Sequence, residues 1–271
     1  MVLKHIDNRI RRAFSDAAAQ YEALAGLQME IGRELINRLP ADGSLDRILD
    51  VGMGTGRMTN RLGLFQPDSM VVGIDIAEGM VRQAAGKYPH LKILQADAAR
   101  LPFADRVFDA VISNLAYQWV ADLSAACLDA GRVLRPGGVV CLTMFGQETL
   151  TELFQALNGT NTAGTIRQGT MRRLPARDQI RSALERAGLT VENIDSEIVR
   201  THFADMFELL RWLKGIGANR LNQDVFIGRR NWAEVNEFYQ KHFHGRWGVR
   251  ATFEVIWVSA RKTERNLNAT T

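Results

Sequence analysis

The sequence predicts an α/β fold of the doubly wound kind, a mostly parallel sheet with helices on both faces. Three observations predict it. Apolar runs with the length of buried strands, residues 48–51, 70–75, 91–97, 108–114 and 139–145, alternate with segments of helical period. The first run is followed by Gly52, Gly54 and Gly56, where the chain can turn sharply with its N–H groups exposed before a helix begins near Met58. The second run ends in Asp75, about twenty residues on, where such a sheet presents a carboxylate to a ribose.

The acids around the glycine turn decide between two kinds of nucleotide ligand. A dinucleotide site wants Gly-x-Gly-x-x-Gly, so that a pyrophosphate can lie on the helix N-terminus. Here the glycines are spaced by two, and Asp50 stands just before them. A carboxylate there repels phosphate and suits a cationic amino group. The ligand so defined is a ribonucleoside that carries an amino acid and no phosphate, a description S-adenosylmethionine meets. Further polar groups, Asp97 and Asn114, close the third and fourth runs. In these features the chain resembles the class I methyltransferases. That resemblance implies a seven-stranded sheet of Rossmann-like type, S-adenosylmethionine as cofactor and S-adenosylhomocysteine as product. It also implies that the last two strands form an antiparallel hairpin, so the long segment between them must project as a helical cap.

The bulk properties narrow the class. At 271 residues and 46% hydrophobic, the chain can bury a large core in one α/β domain. It has no run of about 18 apolar residues and no signal-peptide core, so it is expected to be soluble, unexported and cytoplasmic, with no membrane contact. A net charge of +4 is too small a surplus to imply nucleic acid. Cys127 and Cys141 are isolated and suit a reducing compartment. His242 and His244 have no partner at ligand spacing, so no metal is expected.

In chain order, residues 11–39 read as one amphipathic helix or two short ones. Phe14, Ala18, Tyr21, Leu24, Gln28, Ile31 and Leu35 recur at intervals of three and four. Tyr21 and Gln28 therefore share the buried face, either as plain packing or, if the helix covers the cofactor mouth, as contacts to the methionyl end. Residues 113–120 leave a central strand at its ligand-binding end, and Asn114, Tyr117, Gln118 and Trp119 either wall the reaction centre or cover the sheet edge. Helices are expected over 123–134, 148–157 and 178–187, with a mobile loop over 158–169 and a frayed tail from 261, so that 263–271 is disordered. Strands are expected over 191–199 and 252–260, with helices 205–213 and 232–243 between them. Lys214, Asn219 and Arg220, at the end of the first cap helix, can face an anionic substrate or cap a helix in solvent. Arg172, Arg173, Arg177 and Arg181 crowd one segment, and the last two share a helix face that is either a dock for an acidic partner or a solvated surface.

Three stretches together resemble a narrower family. Phe14-Ser-Asp-Ala-Ala-Ala-Gln-Tyr21 with Gln28, Ser113-Asn-Leu-Ala-Tyr-Gln-Trp119, and Leu213-Lys-Gly-Ile-Gly-Ala-Asn219 are similar to the malonyl-[acyl-carrier protein] O-methyltransferases of biotin biosynthesis, over residues 10–262. Met53 and Ala77 depart from residues common in that family, at sites where backbone atoms would do the binding. Phe145-Gly-Gln-Glu-Thr-Leu150 and Met206-Phe-Glu-Leu-Leu210 also resemble a relative that helps assemble respiratory complex I, and a methyltransferase for a small free polycarboxylate is a third possibility.

The resemblance implies methylation of the free carboxylate of malonyl-[acyl-carrier protein], with the carrier as partner and a monomer expected. It implies one domain, 1–262, with a helical cover over 1–40, a cofactor half over 41–145, and a substrate half over 146–262 whose cap spans about 201–250. Cofactor contacts are expected from Tyr21, Gln28, Asp50, Gly52, Gly54, Gly56, Asp75, Ile76, Met80, Asp97, Ala98 and Asn114. Asp75 would accept the ribose hydroxyls, Asp50 would lie near the amino end, and Asp97 with Ala98 would flank the adenine. Tyr21, Asn114 and Tyr117 would border the reacting methyl. Gln118, Trp119, Lys214, Asn219 and Arg220 would meet substrate, and Arg172, Arg173, Arg177 and Arg181 the carrier.

Overall fold

The computed structural model describes residues 2–40, 45–160, 174–218 and 229–263. The N-terminal segment forms two helices, α1 (Val2–Leu24) and α2 (Gly26–Asn37). They meet at buried Ala25, whose N–H still bonds to the Tyr21 carbonyl at 2.8 Å, so the axis shifts without exposing the backbone. The alternation that follows is β1 (Arg47–Val51), α3 (Arg57–Phe65), β2 (Met70–Asp75), α4 (Glu78–Lys87), β3 (Lys92–Gln95) and β4 (Phe108–Asn114). A single 3₁₀ turn, Tyr117–Trp119, leads to α5 (Leu123–Val133) and β5 (Leu134–Phe145). Then come α6 (Thr151–Asn158), α7 (Arg177–Arg186), β6 (Leu189–Phe203), α8 (Met206–Gly215), α9 (Arg229–Phe243), β7 (His244–Gly245) and β8 (Gly248–Lys262).

Seven strands lie in the order β3-β2-β1-β4-β5-β8-β6, and β7 adds a two-residue eighth that pairs with β8. The first five are parallel, while β8 runs antiparallel between β5 and β6. The order reverses between β1 and β4, so the crevice outside their carboxyl ends is the natural place for a ligand.

The closing hairpin is longer than its apolar pattern indicates. Its pairing runs from Leu189 opposite Lys262 to Phe203 opposite Val249. As the edge strand, β6 keeps polar residues along most of its length, so only the middle reads as a strand. Residues 261 and 262, expected in a frayed tail, are strand. Arg261 and Lys262 belong to β8, and the Lys262 ammonium donates to the Gly131 and Leu134 carbonyls at 2.6 and 2.7 Å. Residues 264–271, and 161–169 of the expected mobile loop, lie outside the described residues.

Three large apolar clusters hold these layers, and a small fourth packs Ala18 of α1 on Ala77 and Met80. One packs α5 and α7 on one sheet face, and a second packs α2 on the other. The third joins α6, α8 and α9 to Val249, Ala251 and Phe253 of β8, which is how the cap between β6 and β8 is fastened. Buried Glu152 pins the same region, accepting from Arg250 Nε at 2.8 Å and from Thr252 N and Oγ1 at 2.9 and 2.6 Å. Cys127 and Cys141 are both buried free thiols.

Candidate functional site

The site grows from the turn after β1. Gly52, Gly54 and Gly56 all have left-handed backbone, φ 75°, 58° and 79°, which glycine alone adopts without a steric penalty. A side chain on Gly52 would also run into Ala116, so this turn and the chain leaving β4 approach as closely as backbones allow. Gly52 and Met53 donate to the Ile74 carbonyl at 2.8 and 2.9 Å, tying the turn to β2. Asp75 finishes the job: its carboxylate accepts from Gly54 N at 2.9 Å and Ala77 N at 2.8 Å. Burial raises the Asp75 pKa, and these N–H bonds oppose that rise without cancelling it.

Two cavities flank the turn. Both are lined by Tyr21, Gly52, Gly54 and Asn114, so they are two compartments of one cleft. The first offers Asp75 and Asp97 beside apolar Ile76, Met80 and Ala98, with Tyr117 and Trp119 opposite. Such a slot suits a flat heterocycle whose hydroxyls and amine need acceptors. The second offers Asp50 and Gln28 with Arg57 and Arg61, which suits a group bearing both an ammonium and a carboxylate.

Asp50 is 1% exposed, and its carboxylate accepts from Thr59 Oγ1 at 2.7 Å. Burial, and secondarily the nearby Asp75 charge, push its pKa up to about 7. A cation placed there would relieve that cost. Tyr21 is kept protonated by burial and by Asp75, so its phenol is a donor at any physiological pH. Among the described residues, one end of the buried Gln28 amide and the buried Tyr117 hydroxyl have no partner. Burying polar atoms unpaired is costly, and Gln28 lines the second compartment, where a ligand can pair with it. Burial, then Cys127 and Asp129 of α5, raise the Tyr117 pKa; its hydroxyl lies toward α5, while the residue walls the first compartment.

The structure refines several assignments. Asn114 lines both compartments, but its amide is already engaged: Nδ2 donates to the Gln28 carbonyl at 2.8 Å, and Oδ1 accepts from Thr143 Oγ1 at 2.8 Å. It clamps α2 onto the sheet. Gly56 lines neither compartment; it heads α3 and packs where a Cβ would lie 3.0 Å from that of Ala84. Gln118 is buried but faces away from the cleft. Three residues per turn send successive side chains in three directions, and Tyr117 and Trp119 take the cavity. Lys214 is exposed on α8 and lines neither compartment, because the apolar face of that helix is the one turned inward. Arg177 and Arg181 line a separate open groove with Glu148, Asp178 and Glu254, so the surface there is mixed in charge. Arg172, Arg173, Asn219 and Arg220 lie outside the described residues.

Sequence reasoning missed Arg57 and Arg61. Their signal was present, two arginines four apart at the head of the helix that follows the glycine turn. Ile10 and Phe14 of α1 also line the first compartment, and Phe14 meets Trp119 edge-on with ring centroids 5.4 Å apart.

Residues 49–142 match the family described as methyltransferase domain. Over 265 residues the chain is 36% identical to a malonyl-[acyl-carrier protein] O-methyltransferase of Geobacter sulfurreducens, covering 93% of this chain and 98% of the relative. It is 32% identical over 270 residues to the biotin biosynthesis bifunctional protein BioHC of Teredinibacter turnerae, covering 94% of this chain and 46% of that protein. Among solved structures, a chain from a complex of the Haloferax volcanii Trm112 methyltransferase activator matches with a TM-score of 0.62 at 19% identity, over 94% of this chain and 98% of that one. At that identity the likeness shows the fold.

Proposed function

This chain belongs to the malonyl-[acyl-carrier protein] O-methyltransferase family, and from that premise we propose how its cleft works. The protein is an S-adenosylmethionine-dependent carboxyl O-methyltransferase of biotin synthesis. It esterifies the free carboxylate of a malonyl group carried on acyl carrier protein. The observation that carries the reading is the two-compartment cleft about Gly52 and Gly54, with acids in both compartments and arginines in only the second of them among the described residues.

The residues fit the cofactor. The first compartment takes the adenosine, with Asp75 accepting the ribose hydroxyls and Asp97 and Ala98 beside the adenine. The second takes the amino-acid end, with Asp50 and the free end of the Gln28 amide toward the ammonium and Arg57 and Arg61 toward the carboxylate. When bound, the cofactor supplies an electrophilic methyl group on a sulfonium. A malonyl carboxyl group is already ionised near pH 7, so this chain needs no general base. What the protein must do is align the acceptor and keep water out. Tyr21 and Asn114 stand at the junction of the two compartments, where the reacting centre belongs. The Tyr21 hydroxyl can donate one bond to an acceptor oxygen without neutralising it. Phe14 and Trp119 close the first compartment on its outer side and exclude water.

On this reading residues 1–262 act as one domain and as a monomer, in the cytoplasm, with residues 146–262 receiving the acyl arm. Among the described residues no helix is long and apolar enough to cross a membrane. Arg177 and Arg181 serve the acidic carrier protein as part of its docking face. Assembly of complex I and methylation of a free polycarboxylate are less favoured, since the curated relatives cited above are named for the malonyl carrier reaction or for biotin synthesis. Incubation with methyl-labelled S-adenosylmethionine and malonyl-[acyl-carrier protein] should yield a labelled methyl ester. No labelled ester from a protein that binds the cofactor would refute the assignment.

A further inference from the structure

We infer that residues 213–218 of the cap are a positioning element for the cofactor cleft: their glycines seat α1, and through α1 they hold Phe14 and Tyr21 over the ligand. The inference rests on the cleft being the cofactor site. It gives this stretch a role other than substrate binding.

Helix α1 lies across the cleft and contributes Ile10, Phe14 and Tyr21 to its lining. It is held from two sides. On the cofactor side, Gly79 in the first turn of α4 donates to Ser15 Oγ at 3.2 Å, and a Cβ at Gly79 would lie 2.7 Å from the Ser15 Cα. On the cap side, Trp212 Nε1 donates to the Leu24 carbonyl at 2.8 Å. Gly215 lies directly under the Leu24 side chain, which a Cβ there would strike. Gly217 lies under Phe14, where a Cβ would sit 3.1 Å from both the Ala13 carbonyl and the Phe14 Cα. Since Phe14 touches Trp119 in the cavity wall, one packing step connects the cap to the ligand.

The two cap glycines differ in what demands them. Gly217 has φ 77° at the end of α8, with its N–H on the Lys214 carbonyl at 3.1 Å, so the helix terminus alone calls for glycine. Gly215 is within α8 and has no such requirement. Alanine is the better helix former there, so helix propensity predicts that Gly215→Ala strengthens the cap and leaves the cleft alone. Seating of α1 predicts the opposite for the ligand, because the new methyl group takes the space of the Leu24 Cδ1 and α1 must shift to keep Leu24 on the cap, three residues from Tyr21.

The test uses the full chain and S-adenosylhomocysteine as the probe, titrated calorimetrically, with hydrogen exchange followed over residues 13–24. For Gly215→Ala we expect a melting midpoint at or above that of wild type, affinity for the probe weakened roughly tenfold, and faster exchange in α1. Adding Leu24→Ala removes the atoms that the new methyl strikes and should recover most of the lost affinity. Unchanged affinity in Gly215→Ala, or no recovery in the double variant, overturns the inference while the reaction assignment stands. Wild type that does not bind the probe overturns the cofactor reading and this inference together.

Discussion

Replacing Asp50 by asparagine asks whether a buried acid, and no other group, makes cofactor binding depend on pH. Its pKa stands at about 7, against 3.8 for the exposed side chain, because burial outweighs the bond from Thr59. A ligand ammonium beside it needs the ionised form, so a proton must leave when the ligand enters. Affinity then follows the ionised fraction, which is about 0.01 at pH 5 and about 0.5 at pH 7, a roughly fiftyfold rise or ~2.3 kcal/mol. The ligand's own α-amino group titrates above this window, so the window isolates the protein. Asp75 is also raised, and the variant separates the two acids. Calorimetric titration with S-adenosylhomocysteine at pH 5, 6 and 7, in two buffers of different ionisation enthalpy, reads both affinity and proton release. Wild type should bind more tightly as pH rises and release close to one proton at pH 5; Asp50→Asn should bind weakly with a much flatter profile. A flat wild-type profile, or an equal slope in the variant, would refute the reasoning. The sign for stability is opposite. A raised folded pKa leaves Asp50's contribution whole below about pH 4 and removes it as pH climbs through 7, so Asp50→Asn should raise the melting point of the empty protein more at pH 8 than at pH 4.

Asp75→Ala removes charge-assisted acceptors, each contributing about 1.5–3 kcal/mol, so cofactor affinity measured by calorimetry should fall roughly ten- to a hundredfold; unchanged affinity would take Asp75 out of the site. Arg177→Glu should lower kcat/KM on malonyl-[acyl-carrier protein] more than on malonyl-coenzyme A, and equal losses on both would argue against docking at that groove. Glu152→Ala strands the buried Thr252 N–H and unpairs Arg250, so denaturant unfolding should show a loss of about 1–3 kcal/mol. A change within error would mean that water replaces the carboxylate.

The cofactor half was legible because its signals are local. Five apolar strands, a turn that only glycine can make, and acids at strand ends each follow from neighbouring residues, and on that basis Asp50, Asp75 and Asp97 could be expected along the cleft they line. Side-chain direction was not local. Gln118 turns away because one 3₁₀ turn rotates it out of the cleft, and Lys214 stays in solvent because α8 is oriented by the apolar cluster of the cap. The amide of Asn114 reads as a ligand contact until the structure brings Gln28 and Thr143 to either end of it.

By itself, then, the sequence determined the class of sheet, the glycine turn and a cleft suited to a cationic nucleoside without phosphate. Tertiary structure alone decided which polar groups are spent on one another and which remain for a ligand. It also decided that α1 rests on the glycines of a cap about two hundred residues away. The reason is distance along the chain: backbone conformation and strand ends obey adjacent residues, whereas hydrogen-bond partners and close helix contacts exist only after remote segments have packed.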